Sequence, residues 1–284
     1  MDFGIIGFPT DYGIGVRDLA RLVEDRGFES LFFPEHTHVP VDRRSPFPAG
    51  GDLPEPYRRN LDPFLAHAVA ATVTERLKLG TGICLVAQRD PIVLATVVAS
   101  LDHLSGGRVI LGVGGGWNVE EMQNHGVDPN LRWAIVQDHV LAMRAIWTQD
   151  EAFYGGTYTQ FGPMSSWPKP IQKPHPPVLV GGTSATALER ALAFGDGWIP
   201  ALDLDKPLAP LLARIESFKH LCEERGRNVA PVTVAMGYGR AALPSEVRLL
   251  RAASVDRCLL SVPTASYADT VAALDAAVPL ATTP

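Results

Sequence analysis

The run 34–38, PEHTH, places a carboxylate and two imidazoles directly after a short apolar stretch. Imidazole titrates near neutral pH, so His36 is a candidate general acid or base, with Glu35 to orient it or to contact a cofactor. Alternation along an extended chain would put His36 and His38 on one face, which leaves an H-x-H metal pair open. Later strand ends offer Gly, Trp and Pro rather than metal ligands, so we expect no metal. A structural role for His36 also stays open.

Three glycine-rich runs follow other apolar stretches. In 80–84 (GTGIC), glycines within a strand indicate a bulge or close approach of the backbone to a flat ligand, or packing room alone. The run 112–117 (GVGGGW) can expose successive N–H groups to an anion. The run 181–184 (GGTS) precedes a predicted helix, whose free N–H groups suit a phosphate, although Thr183 or Ser184 could be an ordinary N-cap. Together the runs predict a flat, nucleotide-like cofactor.

The elements that position these runs alternate between strand and helix along the whole chain. Short strands without polar alternation are buried on both faces, as parallel strands flanked by helices are. Eight such units over about 250 residues predict a (β/α)8 TIM barrel, here as a single domain over residues 1–284. An open doubly wound sheet is the alternative, but residues 4–9 (GIIGFP) do not fit its G-x-G-x-x-G turn. The predicted strands are 2–8, 28–34, 77–86, 108–113, 177–180, 197–200, 231–236 and 256–262. The predicted helices are 16–27, one starting at Pro63 after a cap at Asp62, 91–104, 131–149, 186–194, 208–225, 244–253 and 268–277.

Two proline-rich segments, 35–61 and 152–176, are longer than ordinary loops of such a barrel. The first follows the second predicted strand, which places it at the C-terminal rim where barrel enzymes build their sites. We expect both segments to be insertions at that rim and candidates for a lid or a substrate pocket.

Composition removes several classes of function. With 25 Lys+Arg against 31 Asp+Glu, the net charge is −6, and the chain lacks a basic block for nucleic acid. Three cysteines without C-x-x-C spacing argue against a disulfide framework and a thiolate metal site. No apolar run approaches the roughly 20 residues that span a bilayer, and the first predicted strand begins at Asp2. We therefore expect a cytoplasmic protein that binds neither nucleic acid nor membrane.

In these runs the sequence resembles the luciferase-like monooxygenase superfamily, and within it the oxidoreductases that depend on coenzyme F420, a deazaflavin. The matching stretches cover roughly residues 1–200. They are 27–36 (GFESLFFPEH), Gly82-Ile83 with 89–91 (RDP), 101–108 (LDHLSGGR), 111–117 (LGVGGGW), and Gly181-Gly182 with 195–198 (GDGW).

The resemblance implies a barrel with the flavin or deazaflavin at the strand C-termini, and a homodimer. Glu35 and His36 would lie by the ring, with His36 near the redox carbon. Gly82-Ile83 matches the place where members have a non-prolyl cis peptide against the ring. Trp117 stands where the sugar-phosphate dehydrogenases of the branch have glutamate, which argues against that substrate. The expected cofactor-binding residues are Glu35, His36, Gly82, Ile83, Gly114, Gly115, Gly116, Trp117, Gly181, Gly182, Thr183 and Ser184.

We therefore expect hydride transfer between F420 and a small organic substrate, with His36 and Glu35 as catalytic residues. A two-component monooxygenase that uses reduced FMN and oxygen on the same scaffold is the first alternative. A flavin-binding protein without activity is the second, and a metal-dependent hydrolase is a distant third.

Overall fold

Short apolar strands form one parallel sheet at the centre of the molecule. The computed structural model describes residues 1–228 and 230–282, with Tyr238 described by its backbone alone. In chain order the strands are β1 (Asp2–Ile6), β2 (Ser30–Phe33), β3 (Lys78–Thr81), β4 (Val109–Val113), β5 (Ala152–Gly155), β6 (Gln160–Met164), β7 (Val178–Gly181), β8 (Gly197–Ile199), β9 (Ala201–Asp203), β10 (Thr233–Tyr238) and β11 (Arg257–Ser261).

The sheet closes into the predicted eight-unit barrel. Its order is β8-β7-β4-β3-β2-β1-β11-β10-β9, and the described pairs are parallel. Strands β8 and β9 are separated only by Pro200, so they act as one interrupted strand that pairs with β7 on one side and β10 on the other. A further parallel bridge between Trp198 and Val232 joins the same two edges.

Helices connect the strands and pack on the outside of the barrel, as the apolar spacing predicts. Two of them begin at aspartate caps that are followed by proline. Asp62, as predicted, and Asp90 each accept two backbone N–H groups. The helices are α1 (Val16–Asp25), α2 (Pro63–Ala71), α3 (Pro91–Ser105), α4 (Val119–Asn124), α5 (Arg132–Thr148), α6 (Ala185–Phe194), α7 (Ala209–Glu224), α8 (Pro244–Ala252) and α9 (Tyr267–Thr282). Within the described ranges, no helix combines the length and apolarity needed to cross a membrane.

The prediction for the third strand, 77–86, is wrong in length, because β3 is shorter. The residues that follow β3 form part of the site. Strand β3 ends at Thr81, after which Cys84 donates its N–H to the carbonyl of Gly112 and pairs with β4. Residues 82–85 therefore bulge inward at the C-terminal end of the barrel. Gly80 and Gly82 have different roles: a Cβ at Gly80 would meet the Phe32 ring at 2.4 Å, whereas Gly82 lies in the bulge itself. Packing therefore limits both positions, since a Cβ at Gly82 would also meet Cδ1 of Ile6 at 2.9 Å, and the predicted bulge is present at Gly82.

The two proline-rich segments occupy different places. Segment 35–61 leaves β2 at the C-terminal rim, as predicted, and crosses the mouth of the barrel. Segment 152–176 leads from α5 back to β7, and its β5–β6 hairpin packs on α5. Its later part reaches the opposite end of the barrel, where Gln172 contacts Asp102 and the carbonyl of Val109. The expectation of a rim insertion is therefore wrong for the later part of this segment, whereas the tip of the hairpin, at residues 158–160, borders a pocket with residues 87–92 that follow β3.

Candidate active site

A cavity of about 260 Å³ opens at the C-terminal ends of the barrel strands. Its walls come from six strand ends, from the bulge and from segment 35–61, which is where a barrel enzyme builds its site. The residues that line it are Pro34, Glu35, His36, Tyr57, Gly82, Ile83, Leu85, Gly114, Gly115, Gly116, Trp117, Trp133, Gly181, Gly182, Ile199, Ala201 and Ala235. Ten of the twelve expected cofactor-binding residues are thus together in one cavity.

His36 is held at this cavity by one ring nitrogen only. Its Nδ1 donates a hydrogen bond to Oε2 of Glu121 at 2.7 Å, and both side chains are buried. The backbone N–H of Thr37 donates to the other oxygen of Glu121 at 3.0 Å, which is what an ionised carboxylate accepts. With Nδ1 bonded to the Glu121 carboxylate, Nε2 is the ring nitrogen left for a ligand, and no hydrogen-bond partner for it occurs among the described residues.

Sequence reasoning missed Glu121, as it missed the cavity-lining residues Tyr57 and Trp133. Glu121 lies on α4, a short helix that was not predicted, and its own N–H is capped by Oδ1 of Asn118. The sequence Asn118-Val-Glu-Glu121 does carry the spacing of a capping box. That signal indicates a helix start, but it does not reveal that Glu121 turns inward to the end of β2.

Glu35 does not orient His36, contrary to one of the two roles expected of it. Its Oε2 accepts the backbone N–H of Leu85 at 2.7 Å, and its Oε1 accepts Nε of Arg89 at 2.6 Å. Arg89 also pairs with Asp62, the cap of α2, at 2.6 Å. Burial alone would lower the pKa of Arg89, but the carboxylate of Glu35 raises it above its ordinary value. This ion cluster ties the bulge to the end of β2.

The peptide bond Gly82–Ile83 is cis, as the resemblance implies, and Ile83 projects into the cavity floor. Neighbouring glycines make room for it. A Cβ at Gly114 would lie 2.6 Å from Cδ1 of Ile83, and one at Gly112 would lie 2.0 Å from the carbonyl oxygen of Thr81. The glycine-rich runs therefore accommodate the bulge as well as line the cavity.

Residues 182–186 form the exposed start of α6 at one edge of the cavity. Gly182 has a positive φ of 106° and lines the cavity, whereas Thr183 and Ser184 lie just beyond it. Ser184 occupies the N-cap position without a capping bond, and its hydroxyl pairs with Thr186 instead. The ordinary-cap interpretation therefore fails for Ser184.

Two arginines lie near this helix start: Arg214 donates a hydrogen bond to the carbonyl of Thr183, and Arg190 lies on α6 itself. The guanidinium of Arg190 stacks over the Trp133 ring, with its carbon 4.3 Å from the ring centroid. Burial lowers the pKa of Arg190, and the nearby charge of Arg132 lowers it further. An anion placed between the helix start and these cations would be stabilised by both.

Phe47 and Tyr57 of segment 35–61 and Trp117, which follows β4, form an aromatic roof with their apolar neighbours. The His36 ring lies 5.2 Å from Tyr57 and 5.6 Å from Trp117, measured between centroids. The segment is fastened to α4, because Glu120 accepts the hydroxyl of Ser45 at 2.6 Å. This hydrogen bond, the largest cause, lowers the pKa of Glu120 to about 2.

His36 and His38 do not lie on one face of a strand as the alternation predicts. Strand β2 ends at Phe33, so the alternation that would align the two histidines is lost. His38 instead contacts the Thr37 hydroxyl at 2.9 Å and the amide of Asn124 at 2.9 Å. In residues 1–228 and 230–282 no cluster of three or more metal-binding side chains occurs. Cys84, beside the bulge, is fully buried, and burial first and Glu35 second raise its pKa. This favours a packed thiol over a reactive one.

The cavity suits a flat ring system in size and chemistry. A volume of about 260 Å³ is close to the lower end of the roughly 300–1,000 Å³ that small-molecule and cofactor sites occupy. Its floor is glycine backbone and Ile83, and one edge carries the helix start and the two arginines. The residues present therefore fit a flavin or deazaflavin with a phosphate.

Comparisons with known proteins agree with this geometry. Residues 14–272 match the family described as luciferase-like monooxygenase. An uncharacterized protein of Mycobacterium tuberculosis is 42% identical over 243 residues, which cover 83% of each chain. The FMNH2-dependent dimethylsulfone monooxygenase of Pseudomonas putida is 32% identical over 135 residues, 46% of this chain and 37% of that one. The coenzyme F420-dependent tetrahydromethanopterin reductase of Methanopyrus kandleri has a similar fold, with a TM-score of 0.76 and 17% identity over 98% of this chain and 97% of that one.

Proposed function

Because this chain belongs to the luciferase-like monooxygenase family, we propose that it is an oxidoreductase that transfers a hydride between coenzyme F420 and a small organic substrate. The observation that carries the proposal is the His36–Glu121 pair. A buried carboxylate fixes Nδ1 of the imidazole and leaves Nε2 as a basic nitrogen at a cavity that suits a flat ring. Hydride transfer needs one such group, since the substrate must also gain or lose a proton.

The ring of the cofactor would rest on Gly82 and Ile83, and its phosphate would bind the start of α6 with Arg190 nearby. When bound, the deazaflavin accepts or donates the hydride at a ring carbon. His36 then holds the substrate proton at Nε2, and Glu121 stabilises the imidazolium that results. The aromatic roof excludes water from this reaction. Glu35 acts as a positioning residue, because it holds the bulge through Leu85 and Arg89.

A second candidate is a monooxygenase that uses reduced FMN and oxygen. The identity shared with the FMNH2-dependent enzyme of Pseudomonas putida favours it, since a flavin phosphate would use the same helix start. His36 would keep its role as a proton carrier in this case. The relative affinity of this chain for F420 and for FMN therefore distinguishes the two candidates.

Side-by-side fluorescence titrations with F420 and FMN, each oxidised and reduced, test the proposal. We expect micromolar or tighter binding of F420 and at least about tenfold weaker binding of FMN, a difference of about 1.4 kcal/mol. The reverse preference would favour the monooxygenase, and oxygen uptake with a flavin reductase would then be measured. Binding without turnover on carbonyl, alkene or imine substrates would indicate a protein that only binds the cofactor. Binding of neither would contradict the proposal.

A further inference from the structure

A second cavity, of about 440 Å³, opens between the start of α3, helix α5 and the tip of the β5–β6 hairpin. Residues 87–92 form one side of it, and His125, His139 and residues 158–160 form the rest. None of these residues lines the cavity at the mouth of the barrel. The volume lies within the roughly 300–1,000 Å³ that small-molecule sites occupy. This outer cavity therefore has the size of a ligand site and is separate from the site described above.

His139, on α5, lines the outer cavity with one ring nitrogen left unbonded. The residue is only 8% exposed, and its Nδ1 donates a hydrogen bond to the carbonyl of Val86 at 3.1 Å. A carbonyl oxygen can only accept, so Nδ1 carries the proton and Nε2 is an acceptor. No hydrogen-bond partner for Nε2 occurs in the described part of the chain. Burial, the largest cause, lowers the pKa of His139, so the ring is neutral at pH 7 and keeps this acceptor.

Two more polar atoms of the same walls lack a partner. The hydroxyl of Thr159 and Oε1 of Gln88 are buried, and neither forms a hydrogen bond within residues 1–228 and 230–282. Buried polar groups are normally bonded, because an unbonded group costs free energy. The walls of the outer cavity thus hold more acceptor capacity than the protein itself uses.

The charges at the outer cavity favour a cation. Arg89 is already paired with the carboxylates of Glu35 and Asp62. Asp90, in contrast, forms no ion pair with any described residue. Its carboxylate accepts two N–H groups in the first turn of α3, so this helix start is not free to bind an anion. The unpaired charge of the cavity wall is therefore negative, and it repels phosphates and carboxylates.

We propose that the outer cavity is a second binding site, and that its ligand is a small primary ammonium compound. One N–H of the ammonium group donates to Nε2 of His139, and its charge lies beside Asp90. An ammonium group has three donors and no acceptor, which matches walls that offer acceptors and a negative charge. The inference does not depend on the proposed function, because the two cavities share no wall residue.

Three four-carbon compounds that share a hydroxyl and differ in the other terminal group test the proposal. They are 4-aminobutan-1-ol, butane-1,4-diol and 4-hydroxybutanoate, which carry a positive, a neutral and a negative group at pH 7. Their dissociation constants for the full chain are measured by ligand-observed NMR titration. We expect 4-aminobutan-1-ol to bind at least about tenfold more tightly than butane-1,4-diol, and 4-hydroxybutanoate to bind most weakly.

Two variants locate the site. His139→Asn keeps an N–H donor at the place of Nδ1, for the carbonyl of Val86, and removes the acceptor Nε2. It should weaken the binding of 4-aminobutan-1-ol at least about fivefold. Asp90→Asn keeps the oxygen that caps α3 and removes the charge, so it should weaken 4-aminobutan-1-ol about fivefold and leave butane-1,4-diol unchanged. Asp269→Asn removes an exposed carboxylate from the first turn of α9 and, as the matched control, should change neither.

Equal affinities for the three compounds, or tightest binding of 4-hydroxybutanoate, would overturn the inference. Binding of none of them would do so as well, as would binding of 4-aminobutan-1-ol that neither His139→Asn nor Asp90→Asn weakens. Circular dichroism and the melting temperature show whether His139→Asn is folded, and Asp90→Asn decides the matter if it is not. The F420 titration reports on the other cavity, so a failure here leaves the proposed function to be judged by its own test.

Discussion

The two ends of strand β2 carry charged groups that are paired in different ways. Just before the strand, Glu29 accepts two hydrogen bonds from Arg257 and one ion pair from Lys78, each at 2.7 Å. Just after it, Glu35 is equally saturated, but its neighbour His36 is bound through Nδ1 alone. The carboxylate of Glu29 at the first end therefore serves the fold, whereas the second end keeps one imidazole nitrogen without a protein partner at a cavity.

The difference shows how a barrel separates stability from chemistry. A buried polar group whose atoms are all bonded can only hold neighbouring elements together. A group with one atom left facing a cavity can also act on a ligand. Glu35 and His36 are adjacent in the sequence, but Glu35 holds neighbouring elements together, whereas His36 has a ring nitrogen left for a ligand.

The largest effect on the free energy of unfolding should come from Glu29, at the first end of β2. Burial alone would raise the pKa of Glu29, but the hydrogen bonds and charge of Arg257 outweigh it and lower that pKa to about 2. A decrease from 4.5 to about 2 corresponds to about 3 kcal/mol of unfolding free energy near neutral pH. Glu29→Gln should lose this amount in urea unfolding at pH 7 and keep its F420 affinity.

The same pair predicts a dependence on pH. Because the folded pKa is depressed, the contribution is complete above pH 4.5 and is lost as the pH falls toward 2. The stability difference between the parent and Glu29→Gln should therefore narrow between pH 5 and pH 2.5. A constant difference over this range would assign the loss to packing instead of charge.

Glu35→Gln should affect both stability and binding. An amide cannot pair with the Arg89 guanidinium as a carboxylate does, but Asp62 remains as a partner, so we expect a loss of about 2 kcal/mol in unfolding free energy. The bulge should loosen as well, which would weaken F420 binding about tenfold. Unchanged F420 affinity would mean that Glu35, like Glu29, only stabilises the fold and does not support the cavity.

Glu121→Gln should change turnover more than stability. The amide can still accept the hydrogen bond from Nδ1 of His36, but it no longer stabilises the imidazolium. We expect turnover to fall about tenfold, a change of about 1.4 kcal/mol in the activation barrier, with a shifted pH profile. A parent-like pH profile would limit Glu121 to a structural role.

The smallest effect should occur on the β5–β6 hairpin, away from the site. Asp138 accepts the backbone N–H groups of Thr157 and Tyr158 and the hydroxyl of Tyr154. Asp138→Asn should cost about 1 kcal/mol in unfolding free energy. Turnover and F420 affinity should stay at the parent values. A change in either would show that the hairpin contributes to the site.

The sequence pattern was sufficient for the barrel because each β/α unit is signalled locally, by an apolar strand and a capped helix such as the one after Asp62. The glycine runs and His36 were also recognisable, since their residue types are unusual at strand ends. Glu121 was not recognisable from the sequence, because its partner His36 lies 85 positions away and only the closed barrel brings the two together. The prediction for the later part of segment 152–176 was wrong for a related reason: proline content marks a long connection but not the end of the barrel to which it runs.

The central claim is that His36 carries a proton in the cofactor cavity, and His36→Asn tests it most directly. F420 affinity and the turnover of reduced F420 with an accepted member of the carbonyl, alkene and imine substrates are measured on the same preparations of parent and variant. We expect turnover to fall about a hundredfold to ten-thousandfold, while F420 affinity changes by less than about threefold. Equal losses in affinity and turnover would contradict the claim and make His36 a binding residue, and a variant as active as the parent would remove it from the mechanism.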